Sequence, residues 1–303
     1  DLLQITATGV TNYVHGTDSN FRKDATAADG TGVTDLAASA FSFDFDSDDN
    51  ISEAGDVVIN MASLTTSGVA YDLDESTSDT ALEARINYVL TGTTGADTMT
   101  GGGLADTITG GTGADIITGG VGLDTLVLAT DSAVDTIFYT TASDGGTAGA
   151  NSAGDSVTGF ESTSDKVSLD GALATALDDI TDNTALAFGT TGILDNITNT
   201  AVAASLTATN EMLILTNGDN ALNVANLQNV TTVAAELEDE ITLTAASGDD
   251  GLIVVEATDT AGTFGVYLYT EDGTNANQFD ASDLTVLAIV VGDDVVAGDF
   301  ITT

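Results

Sequence analysis

The sequence predicts a mainly all-β protein: a central parallel β-roll flanked by β-rich domains with a few short helices. Three observations carry that expectation. Residues 92–127 are four nonapeptides in tandem, Gly-Thr-Thr-Gly-Ala-Asp-Thr-Met-Thr followed by three close variants, with Asp97, Asp106, Asp115 and Asp124 at a fixed nine-residue interval. An apolar residue (Met99, Ile108, Ile117, Leu126) falls two places after each Asp, as a short strand turned inward requires. Elsewhere, short apolar runs alternate with Gly, Asp, Asn and Ser clusters, in a chain with 33 Gly and no Pro, Cys or Trp.

Taken in order, residues 1–88 read as a β-rich N-terminal domain. Its candidate strands are Leu2–Ala7, Phe41–Phe45, Val57–Met61, Val69–Leu73 and Ile86–Leu90, and Leu82–Ile86 can form one helical turn. Residues 89–130 hold the repeats. Residues 131–303 form a second β-rich domain with short helices. It starts with a strand at Asp135–Tyr139 and a Gly/Ala/Thr-rich loop at 144–151. Two rungs that continue the roll follow at Asp155–Phe160 and Asp165–Leu169. Helices are expected at Ala172–Ile180 and at Val233–Ile241, the latter carrying Glu236, Glu238 and Glu240. Strands return at Met212–Leu215, Leu252–Glu256, Gly265–Tyr269 and Leu284–Val291. In Gly265–Tyr269 the alternation places Val266 and Leu268 on one face and the tyrosines on the other.

Charge narrows the partners. Against 48 Asp and Glu stand four basic residues, Arg22, Lys23, Arg85 and Lys166, for a net charge of −44 in 303 residues. Nucleic acid is excluded and anionic membrane surfaces are disfavoured by repulsion, whereas divalent cations are natural partners. Absence of Cys excludes disulfides and thiolate sites. The longest apolar run, within Leu284–Val291, falls well short of the ~20 residues of a spanning helix. The chain begins at Asp1 with no signal-peptide pattern, so it is expected to be processed or to be part of a longer protein.

The repeats have a chemistry. Calcium takes six to eight oxygens. A glycine-rich turn can aim backbone carbonyls inward, and the sixth-position Asp adds a carboxylate. Two nonapeptides make one coil, so each loop stacks on the next but one, with the cation between them. Asp97 then pairs with Asp115 and Asp106 with Asp124, giving two complete sites and half-sites at the ends. Gly92, Gly101, Gly110 and Gly119 open the four loops and belong to the same candidate metal set. Leu104 stands where the second repeat should have its fourth-position Gly, which marks the Asp106 site as the weaker. Without cation the acidic loops repel, so the roll is expected to fold only with calcium.

Residues 92–127 resemble the repeats-in-toxin (RTX) family of type I-secreted bacterial proteins. Residues 155–169, with Phe160 and Asp165-Lys166-Val167-Ser168-Leu169, resemble the segment that commonly follows such repeats. The ending Asp299-Phe300-Ile301 is similar to the acidic-then-apolar tail of C-terminal export signals. The resemblance covers about a quarter of the chain. It implies export through a type I channel and calcium-driven folding outside the cell. The charge fits, because carboxylates oppose compaction at low cytosolic calcium and external calcium drives folding by mass action.

Other constellations are weaker. Asp44, Asp46 and Asp48 alternate as in a calcium loop, with Ile51 at the apolar position of an EF-hand, but Asp49 replaces the needed Gly and Gly55 the closing Glu. An irregular calcium loop and a solvated acidic turn both fit. Asp72, Asp74, Glu75 and Asp79 read as a solvated face. His15 is the single histidine, which excludes a two-His zinc motif and suits an ordinary turn or surface residue. No nucleophile elbow surrounds any Ser, no phosphate-cradling loop is present, and there is no Trp to line a sugar site. The reading is a non-enzymatic, extracellular calcium-binding structural protein at the bacterial cell surface. It would assemble with itself into a surface layer or filament, with a cell-surface polysaccharide as a further partner class. The alternatives are the C-terminal RTX module of a larger adhesin, or the export and folding module of a secreted hydrolase.

Overall fold

Nine residues suffice for one tight turn and one three-residue strand, and each repeat uses them so. The computed structural model describes residues 2–6, 13–15, 21–23, 55–60, 70–72, 86–145, 153–171, 173, 193–195, 202–205, 212–216, 222–244, 250–271 and 278–302. It divides into two compact units, Asp1–Asp135 and Thr136–Thr303.

The first unit contains β1 (Leu2–Thr6), β2 (Tyr13–His15), β3 (Phe21–Lys23), β4 (Gly55–Asn60), β5 (Ala70–Asp72) and β6 (Ile86–Thr91), then the repeat strands β7 (Thr98–Thr100), β8 (Thr107–Thr109), β9 (Ile116–Thr118) and β10 (Thr125–Val127). Successive repeats go to different sheets. β1, β4, β6, β8 and β10 are neighbours in that order in one parallel ladder. β5, β7 and β9 form a second. Partners in the repeats are 18 residues apart, Ile108 beside Leu126 and Met99 beside Ile117, as expected of a coil of two nonapeptides. The ladder crosses residue 88 without a break, since β6 pairs with β4 before it and β8 after it. β2 and β3 make a separate antiparallel pair.

Met99, Ile108, Ile117 and Leu126 are all 0% exposed and form the inner column of the roll. Each such burial contributes about 1.5–3 kcal/mol. Their strand neighbours Thr98, Thr107, Ile116 and Thr125 point outward or lie partly covered. A three-residue strand therefore has one inward side chain, and the turn between strands must supply the rest of the cohesion.

The second unit holds β11 (Thr136–Tyr139), β12 (Asp155–Phe160), β13 (Lys166–Leu169), β14 (Ile193–Asp195), β15 (Val202–Ser205), β16 (Met212–Thr216), helices α1 (Val224–Leu227) and α2 (Val230–Glu240), and β17 (Ile241–Thr244), β18 (Asp250–Glu256), β19 (Thr263–Thr270), β20 (Leu284–Gly292) and β21 (Phe300–Thr302). β11, β13 and β21 pair in parallel. A larger sheet runs β12–β20–β19–β18–β16–β14, antiparallel only at β20–β19 and β19–β18. β15 and β17 form a parallel pair.

α2 covers one face of that sheet. Val230, Val233, Ala234 and Leu237, at helical spacing, are buried with Ile241 against Tyr267, Tyr269, Val286 and Ile289. The helix starts three residues before the expected Val233, because the side chain of Asn229 caps it by accepting the N–H of Thr232 at 3.3 Å. It stops before Ile241, which is already extended. The tyrosines of β19 do face away from Val266 and Leu268, but both faces of the strand are buried. Tyr267 donates its hydroxyl to the Leu227 carbonyl, and Tyr269 donates to Glu271 at 2.9 Å. Candidate elements at Phe41–Phe45, most of Leu82–Ile86 and Ala172–Ile180 lie outside the described residues, as does most of the loop at 144–151.

Truncating Leu237, which is 0% exposed, to Ala is expected to cost about 2–5 kcal/mol in urea unfolding followed in millimolar calcium, with the outward Ala235→Ser near neutral.

Candidate metal centre

Each repeat ends its turn on an Asp that the fold removes from water. Asp97, Asp106, Asp115 and Asp124 are 0–2% exposed. Their side chains bond to the backbone in a regular way. Asp115 Oδ1 accepts the main-chain N–H of Asp97, and Asp124 Oδ1 that of Asp106, both at 2.8 Å. Within the first two turns the other oxygen closes the loop: Asp97 Oδ2 accepts from Thr93 N at 2.5 Å and Asp106 Oδ2 from Gly102 N at 2.6 Å.

The sequence-predicted pairs are thus brought together, Asp97 with Asp115 and Asp106 with Asp124. The first glycine of each loop has a steric reason to be there. A Cβ on Gly92 would sit 2.0 Å from the Gly110 carbonyl oxygen, and one on Gly101 2.2 Å from that of Gly119. On Gly110 and Gly119 it would meet Asp115 Oδ2 at 2.6 Å and Asp124 Oδ2 at 2.3 Å. Gly111 and Gly113, at φ +102° and +109°, lie against Thr93 and Gly95 one coil earlier. At the Leu104 turn Gly122 stacks on Leu104 as Gly113 stacks on Gly95, and Asp106, like Asp97, donates its N–H to the Asp one coil on.

Electrostatics is the unfinished part. Rungs of a sheet lie about 4.8 Å apart, and at an effective dielectric constant of about 20 two carboxylates at that distance repel by about 3 kcal/mol. Burial pushes Asp106 up to about 6 against donation from Tyr88 and Gly102. Burial first, and then the charges of Asp135, Asp97 and Asp131, push Asp115 up to about 7. Asp115 Oδ2 is buried with no hydrogen-bond partner. These features fit a hard divalent cation. Among the described residues no three acidic, His or Cys side chains gather round one point, so backbone oxygens would complete its shell.

The stack continues past the fourth repeat through a residue that the nine-residue count misses. Asp135, 0% exposed, accepts the N–H of Asp115 on Oδ1 at 2.9 Å, the contact that Asp115 makes with Asp97. It lies 20 rather than 18 residues on. The two extra residues sit in a turn where Ser132 takes φ +64° and Asp131 accepts from Gly113 N and Ala133 N, both at 2.8 Å. At the other end Tyr88 N donates to Asp106 Oδ1 at 2.6 Å, so Tyr88 stands where an earlier loop would have its Asp. The signal that finds Asp135 is an Asp immediately before an alternating strand, not the repeat length.

Asp44, Asp46 and Asp48 lie outside the described residues, as do Asp74, Glu75 and Asp79. His15 is on β2 and Asp72 on β5, and their side chains lie outside the described set.

Residues 91–126 match the family model of the RTX calcium-binding nonapeptide repeat, in four copies. A search of curated proteins gave no match.

The two raised carboxyls set a pH dependence. Their folded, metal-free values lie above the unfolded 3.8. They therefore support the metal-free roll fully below about pH 4, and that support is lost as pH rises through 6 to 7. In chelator the thermal midpoint should be higher at pH 5 than at pH 8. Calcium needs the ionised form, so its apparent affinity should weaken over the same descent, read by calorimetric titration. A chelated midpoint that is flat from pH 5 to 8 would contradict the burial argument.

Proposed function

We propose, for a chain that carries RTX calcium-binding repeats, that calcium is the folding switch of an extracellular structural protein. In this reading the chain leaves the cell unfolded and folds where calcium is plentiful. Copies of it then assemble into a surface layer or filament. The observation that carries the switch is the column of buried carboxylates. Asp97, Asp115 and Asp135 stack on one side of the roll, and Asp106 and Asp124 on the other, each joined to the next by the same N–H to Oδ1 contact. Cations between successive loops would neutralise the column, at Asp97/Asp115, Asp106/Asp124 and Asp115/Asp135. That raises the two sites read from the repeats to three.

Assembly is supported by the surface and the charge. Ile116, Val121, Leu123 and Val134 are 42–49% exposed on the repeat unit. With a net charge of −44, copies can approach only when cations screen or bridge them. Among the described residues no helix is long and apolar enough to cross a membrane.

Calorimetry should count three calcium ions within the roll for the full chain, and Asp135→Asn should remove one. A count of two, unchanged by Asp135→Asn, would leave only the pairs within the repeats. Electron microscopy of the full chain in millimolar calcium should show regular arrays that dissolve in chelator. Monodisperse monomers at all concentrations in calcium would overturn self-assembly.

A further inference from the structure

The second unit repeats the closure of the roll's loops on a different sequence, Glu161-Ser162-Thr163-Ser164-Asp165. Residues 161–165 close as the repeats do, Glu161 N donating to Asp165 Oδ2 at 2.7 Å, four residues apart like Gly102 and Asp106. A second buried Asp, Asp299, stands before the neighbouring parallel strand β21, as Asp165 stands before β13. Asp299 Oδ1 accepts the N–H of Thr163 at 2.8 Å, where Thr163 holds φ +71°. In the roll Asp131 accepts the N–H of Gly113, at φ +109°, in the same relation to its loop. Asp299 Oδ2 accepts from Ser162 Oγ and Val296 N, both at 2.8 Å.

The difference is the cation. The residue after the loop Asp is Thr98, Thr107, Ile116 or Thr125 in the four repeats, none of which carries a charge. Here it is Lys166, one of four basic residues in the chain. Its Nζ donates to the Asp165 carbonyl at 3.1 Å and lies 3.6 Å from Asp299 Oδ1, and Asp299 is 0% exposed. A backbone carbonyl and a buried carboxylate are the kinds of oxygen that a calcium loop offers its ion.

We infer that Lys166 supplies to this rung the positive charge that calcium supplies to the repeats, so that β13 and β21 close without metal. The inference rests on the calcium reading of the repeats, and its test separates the two. The division of labour gives the chain a brace that keeps its C-terminal strand paired when calcium is withdrawn. Lysine suits a single carboxylate, being a compact point charge on a flexible stem. It cannot replace a divalent ion between two acidic loops, and the stacked repeats carry none.

Hydrogen exchange on the full chain, in millimolar calcium and in excess chelator, reads both units at once. In the wild type the amides of Val167–Leu169 and Phe300–Thr302 should keep their protection in chelator while those of residues 98–127 lose theirs. Lys166→Met keeps the aliphatic stem and should speed exchange at both strands about tenfold or more, in either medium. Lys166→Arg should restore protection to within about threefold. Loss of protection at β13 and β21 in chelator by the wild type overturns the inference, and so does a Lys166→Met variant that exchanges like the wild type. If residues 98–127 stay protected in chelator, the calcium reading of the repeats fails, and the Met and Arg variants still decide the role of Lys166. Should Lys166→Met not fold, Asp299→Asn removes the partner charge with little change of shape and should produce the same local loss.

Discussion

A carboxylate at the end of every turn, buried against the backbone of the turn one coil away, is the constraint on which the roll depends. It organises the loop, because Oδ1 of Asp115, Asp124 and Asp135 each takes a main-chain N–H from one coil earlier. It fixes the coil at two repeats, because that N–H belongs to the next Asp but one. It forces glycine at the head of each loop, where a side chain would collide with a carbonyl or with the carboxylate itself. It also stacks like charges in a region sealed from water. The hydrophobic column of Met99, Ile108, Ile117 and Leu126 favours stacking in any solution, whereas the Asp column opposes it when ionised and uncompensated and favours it once protonated or paired with a cation. In the proposed reading, that opposition makes a structural repeat a switch.

Much of this is legible in the sequence because a repeat states its geometry many times over. The nine-residue period gives the coil, and position eight gives the inward side chain. The step from Asp97 to Asp115 gives the loop pairing. Legibility ends where the period does. Asp135 continues the stack after two inserted residues, which hide it from a count yet cost the fold only a left-handed turn at Ser132. β13 and β21 form one rung although some 130 residues separate them. Long-range pairing of that kind leaves no local spacing to read. Resemblance identifies the Asp165 segment, whereas in the sequence its partner Asp299 stands out only as part of the acidic-then-apolar ending.

In the second unit the physics shifts from metal to apolar burial. β19 is covered on both faces, and its tyrosines find hydrogen-bond partners at Leu227 and Glu271. α2 adds an apolar stripe whose start was visible only in the cap residue Asn229. A helix-covered sheet can hold itself together without ions, and Lys166 lets the adjoining rung do so too. On the proposed reading the chain joins a calcium-governed part to one held by ordinary core packing and an internal ion pair, as a protein that folds only after leaving the cell would need.

Far-ultraviolet circular dichroism of the full chain near pH 8, in excess chelator and then in millimolar calcium, tests the coupling most directly. If the buried carboxylates need a cation, the β signal falls in chelator and returns on titration with calcium. The same β content in both media would mean that the Asp column is tolerated without metal, and the switch would have no physical basis.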